Sequence, residues 1–234
     1  MKVLITRAEP DASATAAMCR RMQLTPLMAP VMKIHMETAA INLEGVTALA
    51  FTSANGVRAF AANAADRSLR VFAVGAVTAE AAKSAGFSAI SASAGDVDSL
   101  TDHIAAEIDG RPGHLLHIAG KDRAGDLASM LGARNIAAKR VTLYEARAVS
   151  ALPPEIIRMM KTDPPEWATF FSPRTARLFL SLAEKAGVCE PLGRIRAACL
   201  SNAAAQAAGD YWRDVSVSPE RTAQSVLTMI AASA

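Results

Sequence analysis

The sequence predicts an α/β fold made of two similar parallel-sheet domains, joined by a two-stranded linker with a cleft between them. Three observations lead there. Short apolar strands alternate with Ala-rich helical stretches, the pattern occurs twice along the chain, and its two copies are out of phase with the termini.

In order, the strands are read at 3–6, 25–34, 48–52, 70–74, 113–118, 139–145, 167–171, 196–200 and 215–217. Each is a short run rich in Val, Ile, Leu, Phe or Ala. Runs such as ALAF and RVFAV are apolar at successive positions, as in strands covered on both faces. Helices follow at 11–22, 54–64, 78–85, 99–108, 125–134, 173–186, 202–208 and 222–232, where Ala dominates and favours helix. Strand–helix alternation implies parallel pairing through right-handed crossovers.

The duplication is legible in the residues. FTSANGVRAF from Phe51 aligns with FFSPRTARLF from Phe170, and RVFAVGAVTAEAA from Arg70 with RAACLSNAAAQAA from Arg196. Ser99–Ala105 aligns with Ser225–Ala231 at the same offset. A fourth unit, Leu115–Ala146, aligns with Val3–Ile34 without a gap. The N-terminal unit therefore completes the C-terminal three. One discontinuous domain is expected at 1–33 plus 148–234, and the other at 34–147, both flavodoxin-like or Rossmann-like. Two strands cross between them, near 30–36 and 142–149. Such a double connection leaves a cleft and permits hinge closure.

Composition narrows the class further. A net charge of +3 over 234 residues lacks the basic stripe of a dedicated nucleic-acid binder. No apolar run approaches the ~18 residues of a membrane helix, and no positively charged leader opens the chain. The expectation is a cytoplasmic protein with neither nucleic acid nor membrane as partner. Cys19, Cys189 and Cys199 are too scattered for a disulfide framework or a zinc site.

Several signatures fail. Gly120 to Gly125 has the glycine spacing of a phosphate loop, but Asp126 and Leu127 stand where Lys and Ser/Thr should follow. No G-x-G-x-x-G follows a strand. His114 and His117, three apart on one strand, point to opposite faces and are read as structural. Ser53 and Ser172 lack the context of a catalytic triad.

What remains is a set of strand-to-helix turns, holding Ser53 and Asn55, Gly75 and Thr78, Ser172 and Arg174, and Ser201 and Asn202. Ser, Thr and Asn there cap helices. The same turns lie beyond the carboxyl ends of strands, where open α/β sheets bind ligands and helix-start amides hold anions. Both readings stand together. Arg7 and Arg123 occupy nearly equivalent places in the repeat, just past a strand end, and Gly120 lies between the strand at 113–118 and Arg123. Tyr144 lies on a crossing strand.

In order and spacing, VLITRAEPDA, PVMKI, FTSANGVRAF, AVGAVTAEAAKSAGF, GHLLHIAGKDRAGDL, VTLYEA, FFSPRTARLF and CLSNAAAQAA resemble the uroporphyrinogen-III synthase family from end to end. The resemblance implies a cofactor-free, monomeric hydro-lyase of haem biosynthesis. Its substrate would be the linear tetrapyrrole hydroxymethylbilane, closed to uroporphyrinogen III with loss of water and inversion of ring D. The chemistry implied runs through an azafulvene and a spiro-pyrrolenine. The substrate carries eight carboxylates, which suits a cradle of main-chain amides and a few Arg. By the same resemblance, Tyr144 matches the linker Tyr that assists the leaving hydroxyl; a phenol is protonated at neutral pH and can donate. Arg7, Ser53, Asn55, Gly75, Thr78, Gly120, Arg123, Ser172, Arg174, Ser201 and Asn202 are the expected substrate contacts. Ala203 and Ala204 depart from the family's paired Thr, so any hydroxyl role there is lost. The alternative is a non-catalytic cytoplasmic binder of an acidic small molecule.

Overall fold

The computed structural model describes residues 1–108, 112–122 and 126–233. The expectations for Arg123 and for a helix starting at Gly125 fall on residues outside that description. By its internal contacts the chain divides into two compact units, Met1–Lys33 with Arg147–Ala234, and Ile34–Ala146.

The first unit opens with β1 (Lys2–Ile5), α1 (Asp11–Arg21) and β2 (Thr25–Met28). After β2 the chain turns through Ala29-Pro30-Val31 into β3 (Met32–Met36), which carries it to the second unit. The single strand expected at 25–34 is therefore two. Pro30 has no N–H to give a ladder, which accounts for the break.

The second unit continues with β4 (Val46–Phe51), α2 (Ala54–Asn63), β5 (Arg70–Val74) and α3 (Gly75–Ser84). It then adds β6 (Ile90–Ser93), α4 (Val97–Glu107), β7 (His114–Gly120) and α5 (Leu127–Gly132). β8 (Ala138–Ala148) returns the chain to the first unit. There follow α6 (Pro154–Thr162), β9 (Trp167–Phe170), α7 (Pro173–Lys185), a 3-10 turn (Glu190–Arg194) and β10 (Arg196–Cys199). α8 (Asn202–Ala208), β11 (Asp214–Val217) and α9 (Ala223–Ala231) complete it.

Two of these elements carry too little local signal to be read in advance. β6 is ISAS, small and polar at an edge of its sheet. α6 begins at a Pro-Pro pair that resembles a loop, yet Pro is well suited to a first helical turn, where its missing N–H is no loss.

The sheets have matching topologies. The first unit's order is β11-β10-β9-β1-β2, and the second's is β3-β8-β7-β4-β5-β6. Aligning β4 with β9, β5 with β10, β6 with β11, β7 with β1 and β8 with β2 superposes one order on the other. Numbered within the first unit, its strands run 2-1-3-4-5, the flavodoxin order, all paired in parallel. β3 lies beside β8 as the exception. The Glu37 N–H donates to the Leu143 carbonyl and the Val149 N–H to the Val31 carbonyl, so partners run in opposite directions.

Each sheet is covered on both faces, which is why its central strands are apolar throughout. Leu4, Ala168, Phe170 and Ala197 pack beneath α7 and α8, while Val3, Ile5, Trp167 and Ala198 pack beneath α1 and α9. In the second unit Leu49, Phe51, Val71 and Ile118 meet α2 and α3, and Ala50, Phe72 and Leu115 meet α4 and α5. Phe51, Phe60 and Phe87 touch ring to ring at 5.9 to 6.1 Å between centroids. That cluster holds the end of β4 and the body of α2 together, and so fixes the Ser53 turn between them.

Candidate functional site

Parallel sheets with helices on both faces bind ligands beyond the carboxyl ends of their strands, at the point where strand order reverses. In the second unit this point lies between β4 and β7. Ser53 follows β4, Gly120 ends β7, and Tyr144 is on β8 next to it.

Local geometry brings these three together. Ser53 caps α2, its Oγ accepting the Gly56 N–H at 3.1 Å. The same oxygen lies 2.7 Å from Tyr144 Oη. Between Ala119 and Gly120 the β7–β8 register slips, so that Ala119 pairs with Thr142 but Gly120 with Tyr144. The extra residue on β8 is a bulge, a device that re-aims a side chain. Here it lays the Tyr144 ring on Gly120. A Cβ at Gly120 would sit 2.7 Å from Tyr144 Cε2 and Cζ and 3.0 Å from Oη, closer than real Cβ contacts come. The absence of a side chain at 120 is what admits the phenol.

These residues line a pocket of about 130 Å³ formed at the ends of β4 and β7, the body of β8 and the first residues of α4 and α5. Four further polar residues share it: Thr52, His117, Asp122 and Arg140. His117 is 4% exposed. Its Nε2 lies 3.2 Å from Thr52 Oγ1, while its Nδ1 has no hydrogen-bond partner among the described residues. Burial, then the nearby Arg140 charge, push its pKa down to about 4 against a smaller opposing pull from Asp126, so the ring is neutral at pH 7. The Arg140 guanidinium donates to the Gly120 carbonyl.

Neither His117 nor Arg140 is among the residues expected from the sequence. His114 and His117 do occupy opposite faces of β7, and His117 takes the α4 and α5 side. Arg140 pairs with His117 across the β7–β8 ladder. No sequence signal marks a mid-strand Arg as pocket-lining until that register is known.

The other expected residues are distributed as follows. Asn55 sits on the first turn of α2, its Oδ1 accepting from Arg58 at 2.6 Å. Gly75 opens α3 with φ of +69°, a left-handed conformation that favours glycine. Thr78 is on the same helix and only 5% exposed. In the first unit Arg7, Ser172 and Ser201 follow the adjacent strands β1, β9 and β10. Ser172 and Ser201 both cap helices, accepting from Thr175 and Ala204. Arg7 is held internally: it pairs with Asp11 at 2.9 Å, donates to Thr15, and lies 4.3 Å above the Phe171 ring. Arg174 and Asn202 sit in the first turns of α7 and α8. The structure thus unites Ser53, Gly120 and Tyr144 in one pocket and gathers Arg7, Ser172 and Ser201 on three neighbouring strand ends.

Among the described residues no group of three or more His, Cys, Asp and Glu could hold a metal ion, and no helix is long and apolar enough to cross a membrane.

A family model described as uroporphyrinogen-III synthase HemD matches residues 13–228. The chain belongs to the uroporphyrinogen-III synthase family. It is therefore an enzyme, a hydro-lyase of tetrapyrrole biosynthesis. Solved structures agree at the level of fold. A uroporphyrinogen-III synthetase from Helicobacter pylori is similar at 15% identity and a TM-score of 0.68, covering 100% of this chain and 99% of that one. A mutant uroporphyrinogen III synthase from Thermus thermophilus is similar at 18% identity and a TM-score of 0.57, again covering 100% and 99%. No curated protein sequence matches significantly. The fold persists at such low identity because it depends on apolar patterning rather than on particular side chains.

Proposed function

We propose that this synthase acts on hydroxymethylbilane at the Tyr144–Ser53–Gly120 pocket, with strand-end turns serving the substrate's carboxylates. The single observation behind this is the 2.7 Å contact between Ser53 Oγ and Tyr144 Oη on a phenol seated against Gly120. The phenol is oriented from two sides, by a hydroxyl fixed in a helix cap and by a backbone with no side chain.

In this reading Tyr144 donates its proton to the ring-A hydroxyl as the C–O bond breaks, and the oxygen leaves as water. The substituted α-carbon of ring D bonds to the resulting methylene. The spiro centre then releases its bond to the neighbouring bridge, and that bridge recloses on the other α-carbon. The proton lost from ring D at closure restores the phenol, so the net change is loss of one water. The enzyme's own contribution is orientation and charge placement: it favours the inverted closure over the spontaneous one. Arg7, Arg123 and Arg174 and the turns at Asn55, Gly75, Thr78, Ser172, Ser201 and Asn202 serve the carboxylates.

The two units act as domains, 1–33 plus 148–234 and 34–147, joined by the β3 and β8 connections. We read the enzyme as a cytoplasmic monomer with no cofactor, nucleic acid or membrane partner.

Incubation with hydroxymethylbilane, oxidation of the product and separation of the porphyrin isomers test the reading directly. Formation of the type III isomer is expected. The spontaneous type I isomer alone would reject it in favour of a non-catalytic binder.

A further inference from the structure

We propose that Arg140 anchors one carboxylate arm of the bound substrate inside the pocket of β4, β7 and β8. The inference rests on the reading that this pocket is where the substrate is turned over.

Arg140 comes from β8, opposite His117 of β7. Its guanidinium has five N–H donors, and one of its nitrogens donates to the Gly120 carbonyl. Among the described residues it makes no ion pair with a carboxylate. A half-buried guanidinium whose donors are mostly unused among the described residues, at the carboxyl end of a parallel sheet, has the geometry to take both oxygens of a carboxylate side by side. Asp122 is the acidic group on the lining, and it has partners of its own. His117 is uncharged at neutral pH, which leaves Arg140 as the cationic group between β7 and β8 in this pocket.

Size and position set what the pocket takes. A volume of about 130 Å³ is room for a few water molecules, and so for a carboxymethyl or carboxyethyl arm but not for a pyrrole chain. The Gly120 carbonyl that receives Arg140 belongs to the residue on which the Tyr144 ring rests. An arm held at Arg140 therefore brings its pyrrole to the mouth of the pocket beside the phenol. Arg140 binds, and Tyr144 reacts.

The test is steady-state kinetics of Arg140→Gln and Arg140→Lys with hydroxymethylbilane, with circular dichroism to establish folding. Loss of a charge-assisted pair is expected to raise KM roughly tenfold or more in the Gln variant. Turnover number should stay within about twofold, and Lys should recover most of the affinity as a point charge. Arg140→Met keeps the aliphatic stem and carries the same expectation if the Gln variant does not fold. An unchanged KM in a protein whose wild type makes the type III isomer would overturn this inference alone. A fall in kcat at constant KM would also overturn it, because Arg140 would then serve only to hold the Gly120 carbonyl. A wild type that yields only the type I isomer would remove the reading of the pocket as well.

Discussion

Ser53 Oγ lies 2.7 Å from Tyr144 Oη while accepting the Gly56 N–H at 3.1 Å, so a single hydroxyl caps the start of a helix and orients the phenol 91 residues away. Architecture and chemistry meet in that atom, and substitutions can separate them.

Tyr144→Phe removes the phenolic hydrogen bond and leaves the ring on Gly120. Turnover is expected to fall by roughly two to four orders of magnitude, the range of a lost general acid, with the thermal midpoint little altered. Unchanged turnover, measured as type III isomer formed per unit time, would take Tyr144 out of the mechanism.

Ser53→Ala loses both functions of the hydroxyl. Stability should drop by about 0.5–2 kcal/mol from the missing cap, and activity should drop as well. Ser53→Asp retains a cap acceptor but places a charge beside the phenol. If its stability is close to wild type while its activity stays low, the two functions are distinct; recovery of both together would argue that the cap is all that matters.

Gly120→Ala places a methyl 2.7 Å from the Tyr144 ring. Either the ring or the strand must move, at a cost of about 1–3 kcal/mol. A falling denaturant midpoint together with a loss of turnover is the expected pattern. The double variant Gly120→Ala with Tyr144→Ala should recover stability but not activity. A single variant with wild-type turnover would show that the phenol's seat is not needed.

His117 makes stability depend on pH. Its folded-state pKa of about 4 lies below the ordinary 6.5, so between those values the unfolded chain binds the proton more readily. Stability is therefore fully present above about pH 6.5, declines as pH falls through that window and levels off below about 4. The shift corresponds to about 3 kcal/mol at most. Urea midpoints of wild type and His117→Asn across pH 4 to 7 test it. The variant's profile should be the flatter, and parallel profiles would contradict the assignment.

Much of the architecture is legible in the residues because it comes from short-range pattern. Apolar runs such as ALAF and RVFAV are strands buried on both faces, and the Ser turns at 53, 172 and 201 are helix caps. The repeat across Phe51 and Phe170 corresponds to β4 and β9, which hold equivalent places in the two sheet orders. ISAS and the Pro153-Pro154 start of α6 stay hidden, since one becomes a strand only by lying beside β5 and the other has no preceding apolar stretch.

The order of strands and helices, and the residues at each strand's end, follow from covalent sequence acting over a few neighbours. Which of those ends adjoin was settled by packing: β4 beside β7 and β7 beside β8 are long-range choices made by burying both sheet faces. The one-residue slip at Gly120 belongs to the same level. It is a compromise between two strands, visible in neither alone, and it sets Tyr144 on Gly120 and within reach of Ser53. Local chemistry supplied the phenol, the serine and the glycine; only the folded sheet could bring them within hydrogen-bond range.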